Sequence, residues 1–118
     1  MKHLLGRVLT LAVTLSISMG STALWTGNDL LQFCDDEADG STFNLCRGFI
    51  NGAYDGHNVV STIYKQDHVF CPPKNVTVGQ IAKVVVKHLE NHPEKLHEMA
   101  VGAVYAALYI AFPCEDGQ

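Results

Sequence analysis

The stretch "CPPKNVTVGQIAKVVVKHLENHPEKLH", residues 71–97, decides the fold because it predicts a loop, a helix and a corner in direct succession. Its two adjacent prolines exclude a helix at the beginning and favour an ordered, extended loop. Thr77 followed three residues later by Gln80 is the pattern of a capping box, so a helix should start at Thr77. The segment "ENHPEK" is a tight corner in which Pro93 suits the first position of another helix. The stretch therefore predicts an antiparallel hairpin of two helices.

The two helices of this hairpin differ in their apolar surface. The first is amphipathic, and its inward side consists of Val78, Ile81, Ala82, Val85 and Leu89. Its outward side is polar and consists of Gln80, Lys83, Lys87 and Glu90. The second helix, expected over residues 93–112, is apolar nearly all round. A helix of that kind is central in its fold or is covered by a partner.

Two more helices are expected before the hairpin, over residues 27–36 and from residue 41 or 42 to about residue 65. The acidic turn "DDEADGST" separates them. The longer helix has an inward side with steps of three and four residues: Phe43, Cys46, Ile50, Ala53, His57, Val60 and Tyr64. The fold class that follows is all-α, a small bundle of about four helices.

The four cysteines, Cys34, Cys46, Cys71 and Cys114, suit two disulfides in an exported protein. The predicted helices select the pairing. Cys34 ends the first helix and Cys46 starts the second, whereas Cys71 and Cys114 flank the hairpin. We therefore expect the pairs Cys34–Cys46 and Cys71–Cys114, which by loop entropy contribute about 3 and 4 kcal/mol. The bundle is then stapled by disulfides.

Residues 1–23 have the pattern of a secretory signal peptide: Lys2 and Arg7 at the start, an apolar run, and small residues up to Ala23. The apolar run is about twelve residues long, too short for a bilayer-spanning helix of about 20. We expect cleavage after Ala23, export, and no membrane attachment afterwards. The mature domain is then residues 24–118.

The mature chain is acidic. Without Lys2 and Arg7 it has six basic residues against twelve acidic ones, a formal charge of −6. Proteins that bind nucleic acid need clustered basic side chains to displace counterions, so this balance argues against nucleic acid. A basic protein surface is the better partner.

Three glycines, Gly48, Gly52 and Gly56, recur every four residues in the second helix and therefore share one face. Each costs about 1 kcal/mol relative to alanine in a helix interior. Glycine permits the close approach of a neighbour in the same chain or in another. We favour a helix-packing role within the chain, in which a matching shallow ridge on the fourth helix consists of Ala100, Ala103 and Ala107.

No catalytic or metal centre is indicated by the sequence. The run that starts at Asp35 resembles a calcium loop, but Cys46 occupies the position of the bidentate glutamate. His88 and His92 have the spacing of a zinc pair, but a proline breaks the helix that would present them. Disulfides would consume every thiol, and no Gly-x-Ser-x-Gly motif is present. We expect a protein that is not an enzyme and has no cofactor and no metal.

Four segments in this order resemble the type VI secretion amidase immunity proteins of the Rap/Tai family: "GNDLLQFC", "CRGFINGAYDG", "FCPPKNVTVGQIAKVVVKHLENHPEKLH" and "AVYAALYIAFPC". The resemblance covers residues 27–114 and includes all four cysteines. It implies a small all-helical periplasmic protein that protects its own cell and sister cells. The toxin would be a secreted peptidoglycan amidase with a Cys-His centre.

The resemblance further implies inhibition by steric occlusion of the amidase cleft, and a homodimer. Occlusion needs a rigid, exposed projection rather than a reactive group. The candidates are the loop of residues 66–75 and the outer side of the third helix. The expected contacts with the toxin are Asp67, His68, Lys74, Gln80, Lys83 and Lys87.

An acid-activated periplasmic chaperone is the alternative function. Small helical proteins of that class carry disulfides and expose apolar surface when their carboxylates become protonated. Twelve acidic residues and the five mature histidines would permit such behaviour. A chaperone should bind many unfolded clients near pH 3, whereas an immunity protein should bind one folded enzyme at neutral pH.

Overall fold

The computed structural model describes residues 24–35 and 40–115, so the expected signal peptide lies outside the described residues. The elements named in these ranges are α1 (Gly27–Phe33), α2 (Gly40–Tyr64), α3 (Val78–Asn91), a 3-10 turn (Pro93–Lys95) and α4 (Ala100–Ala111). The predicted all-α bundle of four helices is confirmed. Among the described residues, no helix has the length and apolar composition that crossing a bilayer requires.

The start of α3 has the predicted capping box. The N–H of Thr77 donates to Oε1 of Gln80 at 2.8 Å, and the N–H of Gln80 donates to Oγ1 of Thr77 at 3.2 Å. These two bonds satisfy main-chain donors that a helix leaves without intrahelical partners at its first turn. The helix therefore begins where the local sequence predicts it.

The fourth helix begins later than predicted, at Ala100. Pro93 opens only a single 3-10 turn, because the residues that follow pair with the segment before α1. The N–H of Gly27 donates to the Glu98 carbonyl at 2.9 Å, and the N–H of Ala100 donates to the Trp25 carbonyl at 2.7 Å. The predicted helix start at residue 93 was wrong because these non-local bonds take the backbone of residues 96–99 out of the helix.

All four helices, the C-cap residue of α1 and one loop residue contribute to a single buried core: Leu30, Cys34, Cys46, Ile50, Phe70, Ile81, Ala82, Val85, Leu89, Ala100, Val104, Ala107 and Leu108. The buried side of α3 agrees with its predicted inward side, apart from a half-buried Val78. The end of α2 differs from the prediction, since Val60 and Tyr64 are exposed. Its buried side continues from His57 to Ser61 instead.

Both disulfides join the pairs that the sequence predicts. Cys34–Cys46 connects the end of α1 to α2 with Cα atoms 5.1 Å apart. Cys71–Cys114 connects the loop before α3 to the segment after α4 with Cα atoms 4.9 Å apart. The longer closure restricts the unfolded chain more and contributes about 4 kcal/mol by loop entropy.

The predicted helix packing of Gly48, Gly52 and Gly56 within the chain is wrong. A Cβ atom built on any of them meets no heavy atom within 4 Å. Gly48 and Gly52 each follow a buried residue, Cys46 and Ile50, by two positions, and two residues turn a helix by about 200°. The glycines therefore lie on the solvent side of α2. The alanines expected to meet them belong to the core or pack against it: Ala100, Ala103 and Ala107.

Replacing Gly52 by alanine should therefore stabilise the protein. The added methyl group meets nothing, and alanine is favoured over glycine inside a helix by about 1 kcal/mol. We expect the Tm of the oxidised domain to rise by about 4–8 °C at most in thermal unfolding.

The matched control is Gly27→Ala at the start of α1. Its Cβ would lie 3.1 Å from Cδ2 of Leu89 and 3.2 Å from the backbone of Leu96, so this variant should have a lower Tm. A lower Tm for Gly52→Ala as well would contradict the solvent-facing position of the glycine stripe.

Candidate functional site

The segment between α2 and α3, residues 66–75, is fixed at its start and at Cys71 and is hereafter called the anchored loop. At its start the N–H of Gln66 donates to the Ser61 carbonyl at 3.0 Å, which ties the loop to the last turn of α2. Further along, Cys71 is tied to the end of α4 by its disulfide and by donation of its N–H to the Phe112 carbonyl at 2.8 Å. Residues 67–70 therefore lie between two fixed residues, Gln66 and Cys71.

An aromatic cluster lies beneath the anchored loop and consists of Tyr54, His57, Phe70 and Tyr105. Phe70 is buried, with its ring centroid 4.3 Å from that of His57 and 5.7 Å from that of Tyr105. The ring of Tyr54 stacks on Phe70 at 5.9 Å, and the hydroxyl of Tyr105 donates to the Ala53 carbonyl at 3.3 Å. The sequence analysis missed Phe70, whose only signal is an aromatic residue beside a cysteine in a polar loop.

His57 connects α2 to the anchored loop. Its side chain is only 6% exposed, and its Nε2 accepts a hydrogen bond from the N–H of Val69 at 3.2 Å. This bond requires a neutral ring with the proton on Nδ1. Burial lowers the pKa of His57, and the nearby His68 lowers it further. Asp55 lies two residues before His57 on α2. Its carboxylate oxygen Oδ2 accepts a hydrogen bond from Nδ2 of Asn51 at 2.9 Å.

The outer surface of the anchored loop carries three of the predicted contacts: Asp67, His68 and Lys74 are all exposed. His68 and Lys74 line the same shallow, open groove of about 800 Å³ between the loop and the end of α4. Phe112 and Glu115 border the groove on the side of α4. The loop therefore presents charged and polar groups around a partly apolar surface.

The other three predicted contacts lie on the exposed side of α3. The side chain of Gln80 is already used in the capping box with Thr77. Lys83 and Lys87 line a second groove, next to Phe43 of α2. The six predicted contacts thus form two separate surfaces, and their role in binding stays a prediction.

The histidines near the corner between α3 and α4 form a packed pair. The rings of His88 and His92 stack with centroids 4.2 Å apart, and Nδ1 of His92 donates to the His88 carbonyl at 2.7 Å. Burial lowers the pKa of His88, and the neighbouring His92 lowers it further. Within residues 24–35 and 40–115, no group of three or more potential ligands could hold a metal ion. The middle of the calcium-like run lies outside those ranges.

Two apolar strips are exposed on the outside of the bundle. On α2 the glycine face is continued by Val59 and Ile63, which are 54% and 66% exposed. On α4, Tyr109 and Ile110 are 59% and 65% exposed. Large aliphatic side chains that cluster at the surface are typical of contact regions between proteins.

A model of one protein family, the Rap1a immunity proteins, matches residues 26–114. The matched region begins at the N-cap of α1 and ends at the second cysteine of the longer disulfide, so it includes all four helices and the anchored loop. No curated protein and no solved structure matches the chain.

Phe70→Ala should destabilise the domain by about 3–5 kcal/mol, because it removes a buried aromatic side chain from a packed cluster. Urea denaturation of the oxidised protein measures this loss as a lower midpoint. Val69→Ala is the control: it truncates a side chain that is 47% exposed and keeps the N–H that His57 accepts. Equal midpoints for Phe70→Ala and the unmodified protein would contradict the supporting role of the aromatic cluster.

Proposed function

Because the chain belongs to the Rap1a immunity protein family, we propose that it protects its cell by blocking the catalytic cleft of a type VI secreted peptidoglycan amidase. The family has a toxin-immunity role and implies a cognate toxin as partner. In this proposal the chain is exported, loses residues 1–23 and acts in the periplasm. It binds the toxin as a folded protein and catalyses no reaction itself.

The observation that supports occlusion most directly is the construction of the anchored loop. Its two fixed points and the buried side chain of Phe70 restrict the conformations of Asp67 and His68 before a partner binds. A preorganised segment loses little conformational freedom on binding, so more of the contact energy is retained as affinity. We therefore infer that the loop enters the cleft and that α3 contacts its rim.

The compartment follows from the same features. Two disulfides are maintained in an oxidising space such as the periplasm, which is also where a peptidoglycan amidase acts. The mature charge of −6 suits a basic toxin surface, because opposite charges accelerate encounter. Lys74 and the α3 lysines would then contact local acidic groups near the cleft.

We further propose a homodimer, in which the exposed side of α4 meets its counterpart in a second copy. This helix is apolar nearly all round, and its outward residues Tyr109 and Ile110 are more than half exposed. A self-complementary apolar patch suits a two-fold interface. The anchored loop would remain free for the toxin.

An inhibition assay with a cognate amidase, to be sought among the neighbouring genes, tests the toxin contact. We compare two charge swaps that leave net charge unchanged: Asp67→Lys with Lys74→Glu on the loop, and Lys83→Glu with Glu90→Lys on α3. The loop swap should weaken inhibition of cell-wall cleavage by at least about tenfold, equal to about 1.4 kcal/mol, with an unchanged Tm. The α3 swap should have a smaller effect.

The unmodified mature protein should abolish cleavage at an equimolar ratio. Failure at that ratio would contradict the inhibitor proposal. Full inhibition by the loop-swap variant would contradict the proposed role of the loop in toxin binding. Protection of unrelated unfolded proteins from aggregation near pH 3, without inhibition at neutral pH, would favour the chaperone alternative.

The homodimer has its own test. Ile110→Glu places a charge on the exposed side of α4 and should convert the dimer to a monomer in size-exclusion chromatography with light scattering. Val59→Glu introduces the same charge on the exposed side of α2 and should leave the dimer intact. A monomeric unmodified protein at micromolar concentration, or a dimer that survives Ile110→Glu, would contradict the α4 interface.

A further inference from the structure

We propose that neutral His57 holds residues 67–69 of the anchored loop against the helices, and that protonation of His57 releases this segment while the rest of the fold persists. The loop would thus be a pH-dependent element. The release itself is a property of the isolated domain. Its consequence for toxin binding rests on the proposed function.

The hydrogen bond between His57 and Val69 is the first step of the argument. Nε2 can accept the N–H of Val69 only while it is unprotonated. An imidazolium carries a hydrogen on both nitrogens, so protonation would set two N–H donors against each other. The main-chain bond would then be lost, and the Val69 N–H would need water as its partner.

The surroundings of the ring oppose a positive charge. Only 6% of the His57 side chain is exposed, and its ring lies against the face of Phe70. Among the described residues, the titratable rings that meet it are His68 from the loop and Tyr105 from α4, at 5.5 Å and 5.7 Å between centroids. A charge on His68 repels a second charge on His57.

The released segment is limited by its two fixed points. The N–H of Gln66 is bonded to the Ser61 carbonyl, and Cys71 is bonded to Cys114 and to the Phe112 carbonyl. None of these connections involves a group that titrates between pH 5 and 8. Between them, two main-chain contacts are described: the N–H of Val69 donates to Nε2 of His57, and the His68 carbonyl lies 3.3 Å from Sγ of Cys114. The second contact is not a hydrogen bond, because a disulfide sulfur has no hydrogen to donate. Protonation therefore frees residues 67–69, while Phe70 stays in the core and the hairpin stays closed.

The direction of the pH dependence follows from linkage. The pKa of His57 is lowered from 6.5 in the closed loop, so the open state binds protons more readily. The stabilisation by the neutral ring is complete above about pH 6.5 and is lost as the pH falls. Below that value the open population should rise by up to about tenfold per pH unit, until the pKa of the closed state is reached.

The consequence for inhibition is a loss of affinity in acid. Asp67 and His68 belong to the released segment, and they are two of the proposed toxin contacts. An opened segment must be ordered again on binding, which weakens the complex. If the proposed function holds, the affinity for the amidase should fall over the same pH range in which the loop opens.

Amide hydrogen exchange by NMR on the oxidised mature protein tests the release directly, at about pH 7.5 and about pH 5.5, the range in which a histidine titrates. The protection factor of the Val69 amide, corrected for intrinsic exchange, should fall on acidification while core amides of α3 stay protected. His57→Gln keeps an acceptor oxygen and cannot titrate, so its Val69 protection should not depend on pH. His88→Gln removes another histidine of lowered pKa and should behave like the unmodified protein.

Equal Val69 protection at both pH values in the unmodified protein would overturn the inference, and so would a fall that persists in His57→Gln. If that variant does not fold, the unmodified protein still tests the proposal. Its His57 ring resonance and its Val69 amide resonance should then titrate with one common midpoint below pH 6.5, and two different midpoints would overturn the proposal.

The affinity for the amidase, measured by calorimetry at the same two pH values, separates the two proposals. A loop that opens in acid without any loss of affinity keeps the pH-dependent release and removes the loop as a toxin contact. A loop that stays closed removes the release, whatever the affinity does.

Discussion

The connection between Cys71 and the end of α4 is the constraint on which the fold and the candidate site both depend. It combines a covalent bridge over a sequence separation of 43 residues with a hydrogen bond to the Phe112 carbonyl. The bridge closes the α3–α4 hairpin at the end opposite the 3-10 corner. The same cysteine fixes one side of the anchored loop. One connection therefore closes the hairpin and also fixes one side of the loop.

The other end of α4 is held by a different kind of contact. Trp25 and Gly27 pair with the backbone just before α4, and Thr26 forms a capping box with Asp29 at the start of α1. The main-chain and hydroxyl donors of Thr26 lower the pKa of Asp29, so this cap is at full strength above the ordinary carboxyl range and weakens as the pH falls below it. A helix of seven residues is too short to be stable alone, and these non-local bonds supply the stability that it lacks.

Features with a local cause could be predicted from the sequence, and features with a distant cause could not. The start of α3 follows from two residues three positions apart, and the disulfide pairs follow once the helix order is known. The cap at Thr26 also has a local cause, an acidic residue three positions later, but the sequence analysis did not identify it. The late start of α4 depends on a segment about 70 residues away in sequence, which no local pattern reveals. The burial of Phe70 depends likewise on α2 and α4 meeting beneath the loop.

The direction of the glycine face was predicted wrongly. The spacing of the three glycines shows that they share one face of α2, but it does not show whether that face points to the core or to solvent. The helical pattern was correct, but Ile50 and His57 determine the inward side of α2, and the glycines lie away from it. His57 therefore has a structural task that an apolar residue at the same position could not perform. It fills a core position and also accepts a main-chain hydrogen bond from the loop, which couples the loop to the packing of α2 against Tyr105. Because that second task requires a neutral ring, the hydrogen bond that holds the loop to α2 is sensitive to acid.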